Sequence, residues 1–138
     1  MKNYNCVLLV DDDPIANFIN HTILTKLSLT EKIAISRDGR EALKFLREYE
    51  DQYNCIPELI LVDIKMPIMN GFEFLEEFEK AFEELKEKTR VIILSNIFTP
   101  QDVQVLKEIG HSDFLNKPLQ RDLLVDILEE NFYLEDRA

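Results

Sequence analysis

Cys6-Val7-Leu8-Leu9-Val10-Asp11-Asp12-Asp13-Pro14 is an apolar run of five residues that stops against three aspartates and a proline. Nearly continuous Val and Leu suits a strand covered on both faces, which places it in the middle of a parallel sheet. Asp13 before Pro14 is a helix start: the acid caps the free N–H groups of the first turn, and proline is tolerated at the first helical position. Ile15, Phe18, Ile19, Ile23 and Leu27 follow at helical spacing and mark the apolar side of that helix.

Outward from this stretch, four more short apolar runs recur: Lys32 to Ile35, Glu58 to Val62, Arg90 to Leu94 and Asp113 to Leu115. Each is followed by an amphipathic stretch. Asp38-Gly39 turns the chain into a second helix with Ala42, Leu43, Leu46 and Tyr49 on one side, and Pro57 closes its connection to the third strand. Asn70-Gly71 opens a third helix with Leu75, Phe78, Phe82 and Leu85 three or four apart, and seven glutamates from Glu73 to Glu87 read as its solvated face. Thr99-Pro100-Gln101-Asp102 resembles a capping box with Asp in place of Glu, and starts a fourth helix through Val103, Leu106 and Ile109 that Gly110 ends. Leu123, Leu124, Ile127 and Leu128 mark a closing helix. Strand then helix, five times over, predicts an α/β fold: a flavodoxin-like (βα)5, doubly wound five-stranded parallel sheet of order 2-1-3-4-5. Strands one and three are neighbours in that order, and their connections leave in opposite directions. The functional site is expected in the crevice this opens at their carboxyl ends.

At 138 residues the chain suits one domain, residues 1–138 with a core of about 5–130, and leaves no room for a second folded output module. Sixteen basic residues against twenty-seven acidic ones give a net charge of −11, which opposes phosphate backbones and anionic bilayers. Direct nucleic-acid or membrane binding is therefore not expected. An apolar share of 46% against 31% charged supplies a sizeable core. Cys6 and Cys55 sit beside apolar residues and are expected to be buried and reduced. The first apolar run is too short for a signal peptide or a membrane span, which predicts a cytoplasmic protein.

The first strand delivers Asp11-Asp12-Asp13 to the predicted crevice and the third delivers Asp63, from segments about fifty residues apart. Two carboxylates ~4 Å apart repel by roughly 4 kcal/mol at an effective dielectric of about 20, a cost that a bound cation relieves. All-oxygen ligands suit Mg²⁺ or a similar hard ion. For Asp13, next to Pro14, helix capping alone is the simpler reading. Ser95-Asn96 ends the fourth strand and Lys117-Pro118 follows the fifth, bringing a hydroxyl and an ammonium to the same rim. Together these groups suit a phosphoryl group: cations for its oxygens, a carboxylate to accept phosphorus and a hydroxyl that responds to its arrival.

In these motifs the sequence resembles the receiver domains of two-component response regulators. The match is carried by Val10-Asp11-Asp12, Leu61-Val62-Asp63-Ile64-Lys65-Met66-Pro67 with Gly71, Leu94-Ser95, and Asp113-Phe114-Leu115-Asn116-Lys117-Pro118, in order and spacing. The resemblance implies that Asp63 accepts a phosphoryl group from a phosphohistidine on a sensor histidine kinase or phosphotransfer protein. It implies Mg²⁺ held by Asp12, by Asp11 mainly through water, by Asp63 and by the Lys65 carbonyl. Lys117 would pair with a phosphoryl oxygen, with the Lys117-Pro118 bond cis. Pro67 and Gly71 would shape the loop. Ser95 would then move to the phosphoryl group, and Phe114, the switch aromatic, would turn inward and re-form the face made by helix four, strand five and helix five. The downstream target is expected to be another protein that reads this face in a phosphorelay, and a phosphorylation-dependent dimer stays open.

Three positions depart from the commonest receiver pattern. Asn96 replaces the small residue usual after the switch hydroxyl, which tightens access to the phosphate or adds an amide contact. Lys65 and Ile97 stand two residues beyond Asp63 and Ser95, where receivers tune the hydrolytic water. Ile97 cannot orient that water, so a long-lived phosphoform is expected. His21 and His111 lack metal-ligand spacing and read as surface or packing residues, and loop packing accounts for Met66 and Met69. Beyond slow self-phosphorylation and self-dephosphorylation, no enzymatic activity is expected. Two rivals remain. One is a haloacid-dehalogenase-type phosphatase using Asp11, Asp13, Ser95, Asn96 and Lys117, which would leave Asp63 idle. The other is a pseudo-receiver that binds partners without being phosphorylated.

Overall fold

The computed structural model describes residues 3–111 and 113–137, with side chains to residue 129. The expected domain of residues 1–138 therefore includes positions 1, 2, 112 and 138, which lie outside the described residues. Strands β1 (Val7–Val10), β2 (Ile33–Ser36), β3 (Leu59–Asp63), β4 (Arg90–Ser95) and β5 (Phe114–Asn116) form one parallel sheet in the order β2-β1-β3-β4-β5, as expected. Helices α1 (Pro14–Lys26), α2 (Gly39–Tyr53), α3 (Gly71–Ala81), α4 (Pro100–Ile109) and α5 (Arg121–Arg137) alternate with them. Several strand boundaries shift by a residue, and β3 extends to Asp63 and β4 to Ser95, so these two polar residues still make ladder pairs.

Alternation along the central strands divides the core in two. Leu8, Val10, Ile60, Val62 and Ile93 face α2, α3 and α4, where Leu46, Phe74, Phe78 and Leu106 meet them. Val7, Leu9, Leu59, Leu61, Ile92 and Leu94 face the other way, onto Leu24 of α1 and Leu124 and Leu128 of α5. Being covered on both sides is why β1, β3 and β4 read as unbroken apolar runs.

The expected apolar side of α1 holds only in its second half, where Ile23 and Leu27 pack half-buried against the core beside Leu24. Asn17, Asn20 and Leu24 face inward, whereas Ile15 is 70% and Phe18 74% exposed. Both sets recur at helical spacing, so periodicity could not choose between them. Asn17 has a polar partner at the end of β1, and that bond turns the first helical turn so that Ile15 and Phe18 face out. Helix α2 buries Ala42, Leu43, Leu46 and Tyr49 as expected. Helix α3 stops at Ala81, and the long segment after it closes through a short 3-10 turn, Lys86–Lys88. Its acidic run is mostly exposed, Glu73 included, which completes a capping box with Asn70, but Glu79 is half-buried and pairs with Lys86 at 3.2 Å.

At the end of α4 the chain needs a left-handed residue, supplied by Gly110 at φ 104°. The Gly110 N–H donates to the Lys107 carbonyl at 3.1 Å and the following His111 N–H to the Leu106 carbonyl at 2.8 Å, so two of the helix's free carbonyls are satisfied. Arg90, at the start of β4, donates to Asp113 at 3.1 Å and to the Ile127 carbonyl at 2.7 Å, which ties β4 to β5 and α5. Cys6 is buried, but Cys55 is only half-buried, because it lies in the exposed α2–β3 turn; both are free thiols. Among the described residues no helix is long and apolar enough to cross a membrane.

Candidate functional site

Sheet register assembles the site. Val10 pairs with Val62, so Asp11 and Asp63 end neighbouring strands abreast of one another. Asp63 pairs with Leu94, which sets Ser95 one residue beyond it, and Ser95 pairs with Asn116, which sets Lys117 at the same rim. The backbone closes this last step, with the Lys117 N–H donating to the Ser95 carbonyl at 2.7 Å.

Asp11, Asp12 and Asp63 each present a carboxylate oxygen, and the three lie within 4.8 Å of one another. Asp11 and Asp63 are buried at 2% and 7% exposure, while Asp12 is open to solvent. The Lys117 ammonium reaches between the two buried acids, 2.6 Å from Asp11 Oδ2 and 3.4 Å from Asp63 Oδ1. The Lys117-Pro118 bond is cis. Burial and the neighbouring Asp11 charge push the Asp63 carboxyl above the usual carboxylate range, opposed by Lys117 and by the Lys65 backbone N–H. Burial lowers the proton affinity of Lys117, but both aspartates outweigh it, and the net shift is upward. An acid held against repulsion by one ammonium is a site short of positive charge. Hard carboxylate oxygens with an exposed member at the mouth fit Mg²⁺.

The surrounding loops are fixed from below. Asp13 Oδ1 accepts the Ile15 N–H at 2.9 Å, so this third aspartate caps α1 and stands outside the acidic trio. That removes the second acid on which the phosphatase rival depended. Gly71 packs against the strand end: a Cβ there would run into the Asp63 carbonyl oxygen and lie 2.8 Å from Ile64 Cα. Met69 lies against the backbone of Gly39, whose N–H donates to the Met69 carbonyl at 3.0 Å, so loop packing does account for it. Between these anchors the loop turns at Ile68, at φ 66° and 73% exposed, with the Met69 N–H donating back to the Pro67 carbonyl at 2.6 Å.

Ser95 is buried and donates its hydroxyl to the Ile97 carbonyl at 2.9 Å. The next residues turn outward: Asn96 is exposed, and Ile97 is 70% exposed. Phe98 then folds back, and its ring centroid lies 5.0 Å from that of Phe114. Both rings pack against the core beneath α3 and α4. Sequence reasoning singled out Phe114 but passed over Phe98, since an aromatic in a loop carries no periodicity. It also passed over Asn17, a buried amide that donates to the Asp11 carbonyl at 2.9 Å. His111 packs half-buried beside Glu79, with Nε2 3.5 Å from Oε1, and His21 is exposed.

The chain matches the response regulator receiver domain family over residues 7–129. It is 26% identical over 124 residues to the probable C4-dicarboxylate response regulator DctR of Bacillus subtilis, covering 90% of this chain and 50% of that protein. The chain thus spans half the length of that relative. The solved structure of a two-component response regulator from Cytophaga hutchinsonii is similar at a TM-score of 0.83 and 31% identity, over 94% of this chain and 97% of that one. The receiver domain of the histidine kinase CKI1 from Arabidopsis thaliana, solved in complex with Mg²⁺, is similar at a TM-score of 0.77 and 25% identity, over 91% and 90% of the two chains.

Proposed function

The chain belongs to the response regulator receiver domain family, and on that premise we propose that it accepts a phosphoryl group on Asp63 and passes that state to a protein partner. The observation that carries the reading is the trio of carboxylates within 4.8 Å of one another, with one ammonium between the two buried members.

The phosphodonor is a phosphohistidine on a sensor histidine kinase or phosphotransfer protein. An Asp63 oxygen attacks phosphorus, the P–N bond breaks with its electrons leaving to the imidazole, and an acyl phosphate forms on residue 63. Asp11, Asp12, Asp63 and the Lys65 carbonyl are the residues that would hold Mg²⁺, the ion in the similar kinase receiver. Bound there, the ion supplies charge neutralisation for both the nucleophile and the phosphoryl oxygens. Lys117 keeps Asp63 ionised before transfer and pairs with a phosphoryl oxygen after it. Ile15 and Phe18, exposed on α1 beside the mouth, supply an apolar surface for the donor protein.

A phosphoryl group adds about −1.5 to −2 charges and strong acceptor oxygens. Ser95 exchanges its bond to the Ile97 carbonyl for one of them, which moves the loop that carries Phe98. Because Phe98 touches Phe114, the movement reaches β5 and the face shared with α4 and α5. That face is read by a downstream protein, and the receiver domain occupies the chain from about residue 5 to 130. The molecule acts as a switch rather than a turnover enzyme. Ile97 offers no group to orient a hydrolytic water, so the phosphoform is long-lived. Loss of label within seconds from purified phosphoprotein in Mg²⁺ would contradict that part.

The test is intact mass after incubation with phosphoramidate and, separately, with a histidine-phosphorylated phosphotransfer protein, each with Mg²⁺. One phosphoryl adduct, absent in Asp63→Asn, is expected with at least one donor. No adduct with either, or an adduct that survives Asp63→Asn, overturns the reading.

A further inference from the structure

Asn17 is 6% exposed at the end of the first turn of α1, and its amide nitrogen donates to the Asp11 carbonyl at 2.9 Å. That carbonyl can only accept, so the donor nitrogen must face it and the orientation of the amide is set by chemistry. The amide oxygen is then buried with no partner. An unpaired buried oxygen costs free energy that a Leu of similar size would not, so the residue invites an explanation in what it holds.

The carbonyl of Asp11 belongs to the peptide unit that joins Asp11 to Asp12. On its other side the Asp11 N–H donates to the Ser36 carbonyl of β2 at 3.0 Å, and Asp11 Oδ1 accepts the Asp13 N–H at 3.0 Å. These bonds fix Asp11 itself. The Asp13 N–H bond to Asp11 Oδ1 spans the next peptide plane from within the turn, and Asn17 holds the carbonyl of that plane from α1, so the two together set where the Asp12 side chain starts. Asp12 is the exposed member of the trio and has no burial to hold it.

We propose that Asn17 is a positioning residue for the divalent-cation site: by pinning the Asp11–Asp12 peptide it aims the Asp12 carboxylate at the oxygens of Asp11 and Asp63. The inference rests on the reading of that trio as a Mg²⁺ site. Small Mg²⁺ demands near-ideal octahedral geometry, whereas larger Ca²⁺ tolerates irregular arrangements. Loosening Asp12 therefore penalises Mg²⁺ more than Ca²⁺, whereas a general weakening of the fold penalises both alike.

The experiment is calorimetric titration of the full chain with Mg²⁺ and with Ca²⁺, for wild type, Asn17→Leu and Asn20→Leu. Asn20 is an equally buried amide on the same helix and controls for loss of such a group. Asn17→Leu is expected to weaken Mg²⁺ about tenfold, the usual scale for a lost outer-shell partner, and Ca²⁺ by less than about threefold. Asn20→Leu is expected to leave both affinities unchanged. Equal loss for the two ions, no loss, or a matching effect in Asn20→Leu overturns the proposal. A wild type that binds neither ion instead overturns the Mg²⁺ reading beneath it. If Asn17→Leu does not fold by circular dichroism, Asn17→Ala goes through the same titrations and the same outcomes decide.

Discussion

Replacing Lys117 with Met removes the ammonium from between two buried carboxylates and leaves a side chain of similar length. At 2.6 Å from Asp11 and 3.4 Å from Asp63, the two attractions are about 6 and 5 kcal/mol at an effective dielectric of about 20. Returning the ammonium to water recovers much of that, and breaking a buried pair from one side typically costs about 3–5 kcal/mol. The acids left behind, with oxygens within 4.8 Å, repel by at least about 3.5 kcal/mol on the same scale. Lys117→Met is therefore expected to lose about 3 kcal/mol at neutral pH in EDTA, read from urea unfolding. The loss shrinks on acidification, because Asp63, already raised by burial and by Asp11, takes up a proton and ends the repulsion. Mg²⁺ at ten times its dissociation constant stabilises wild type by about 1.4 kcal/mol. At the same free Mg²⁺ the variant gains more, since no ammonium competes for the two carboxylates. A variant within about 0.5 kcal/mol of wild type in EDTA, with no larger response to Mg²⁺, would refute the electrostatic argument.

Phe18→Ser is expected to slow transfer from a histidine-phosphorylated protein by about tenfold, the cost of one lost apolar contact at an interface. Labelling by phosphoramidate should be unaffected, so equal loss with both donors points to a damaged site instead. Ile68→Gly relieves a β-branched residue held at φ 66° and should raise stability by roughly 0.5–1 kcal/mol after the entropy of the unfolded glycine is set against it. A lower urea midpoint would mean that the Ile68 side chain contributes more than the strain costs. His111 is held below the usual histidine range chiefly by burial, aided by Lys86 and opposed by Glu79 and Asp113. The unfolded chain then binds the proton first as pH falls below 6.5, so stability is present above that value and declines under it. In His111→Leu this part of the pH dependence between 7 and 5 should vanish, and an unchanged profile would assign it to other groups.

The topology was legible because buried parallel strands must be apolar along their whole length. The end of each run therefore marks a sheet edge, and the residues there, Asp11, Asp63, Ser95 and Lys117, are lined up by strand order. Helix starts at Asp13, Asn70 and Thr99 were equally local, since a cap needs only a side-chain oxygen three residues or fewer from a free N–H. Ile23 and Leu27 of α1 pack on the core as their spacing predicts, but the buried side at the start of that helix was not legible. Ile15 and Phe18 recur as regularly as Asn17 and Asn20, and what separates them is a carbonyl at the end of another element. Glu79 looked like one more solvated acid until the chain brought Lys86 and His111 to it, and Phe98 acquired a partner only when β5 placed Phe114 beside its loop. Patterning along the chain determined which segments are strands and helices and which residues reach the rim. The choice of helix face, the pairing of Lys117 with two acids and the aromatic contact that links the mouth to β5 were decided by tertiary structure, because each depends on a partner distant in sequence whose position no local pattern encodes.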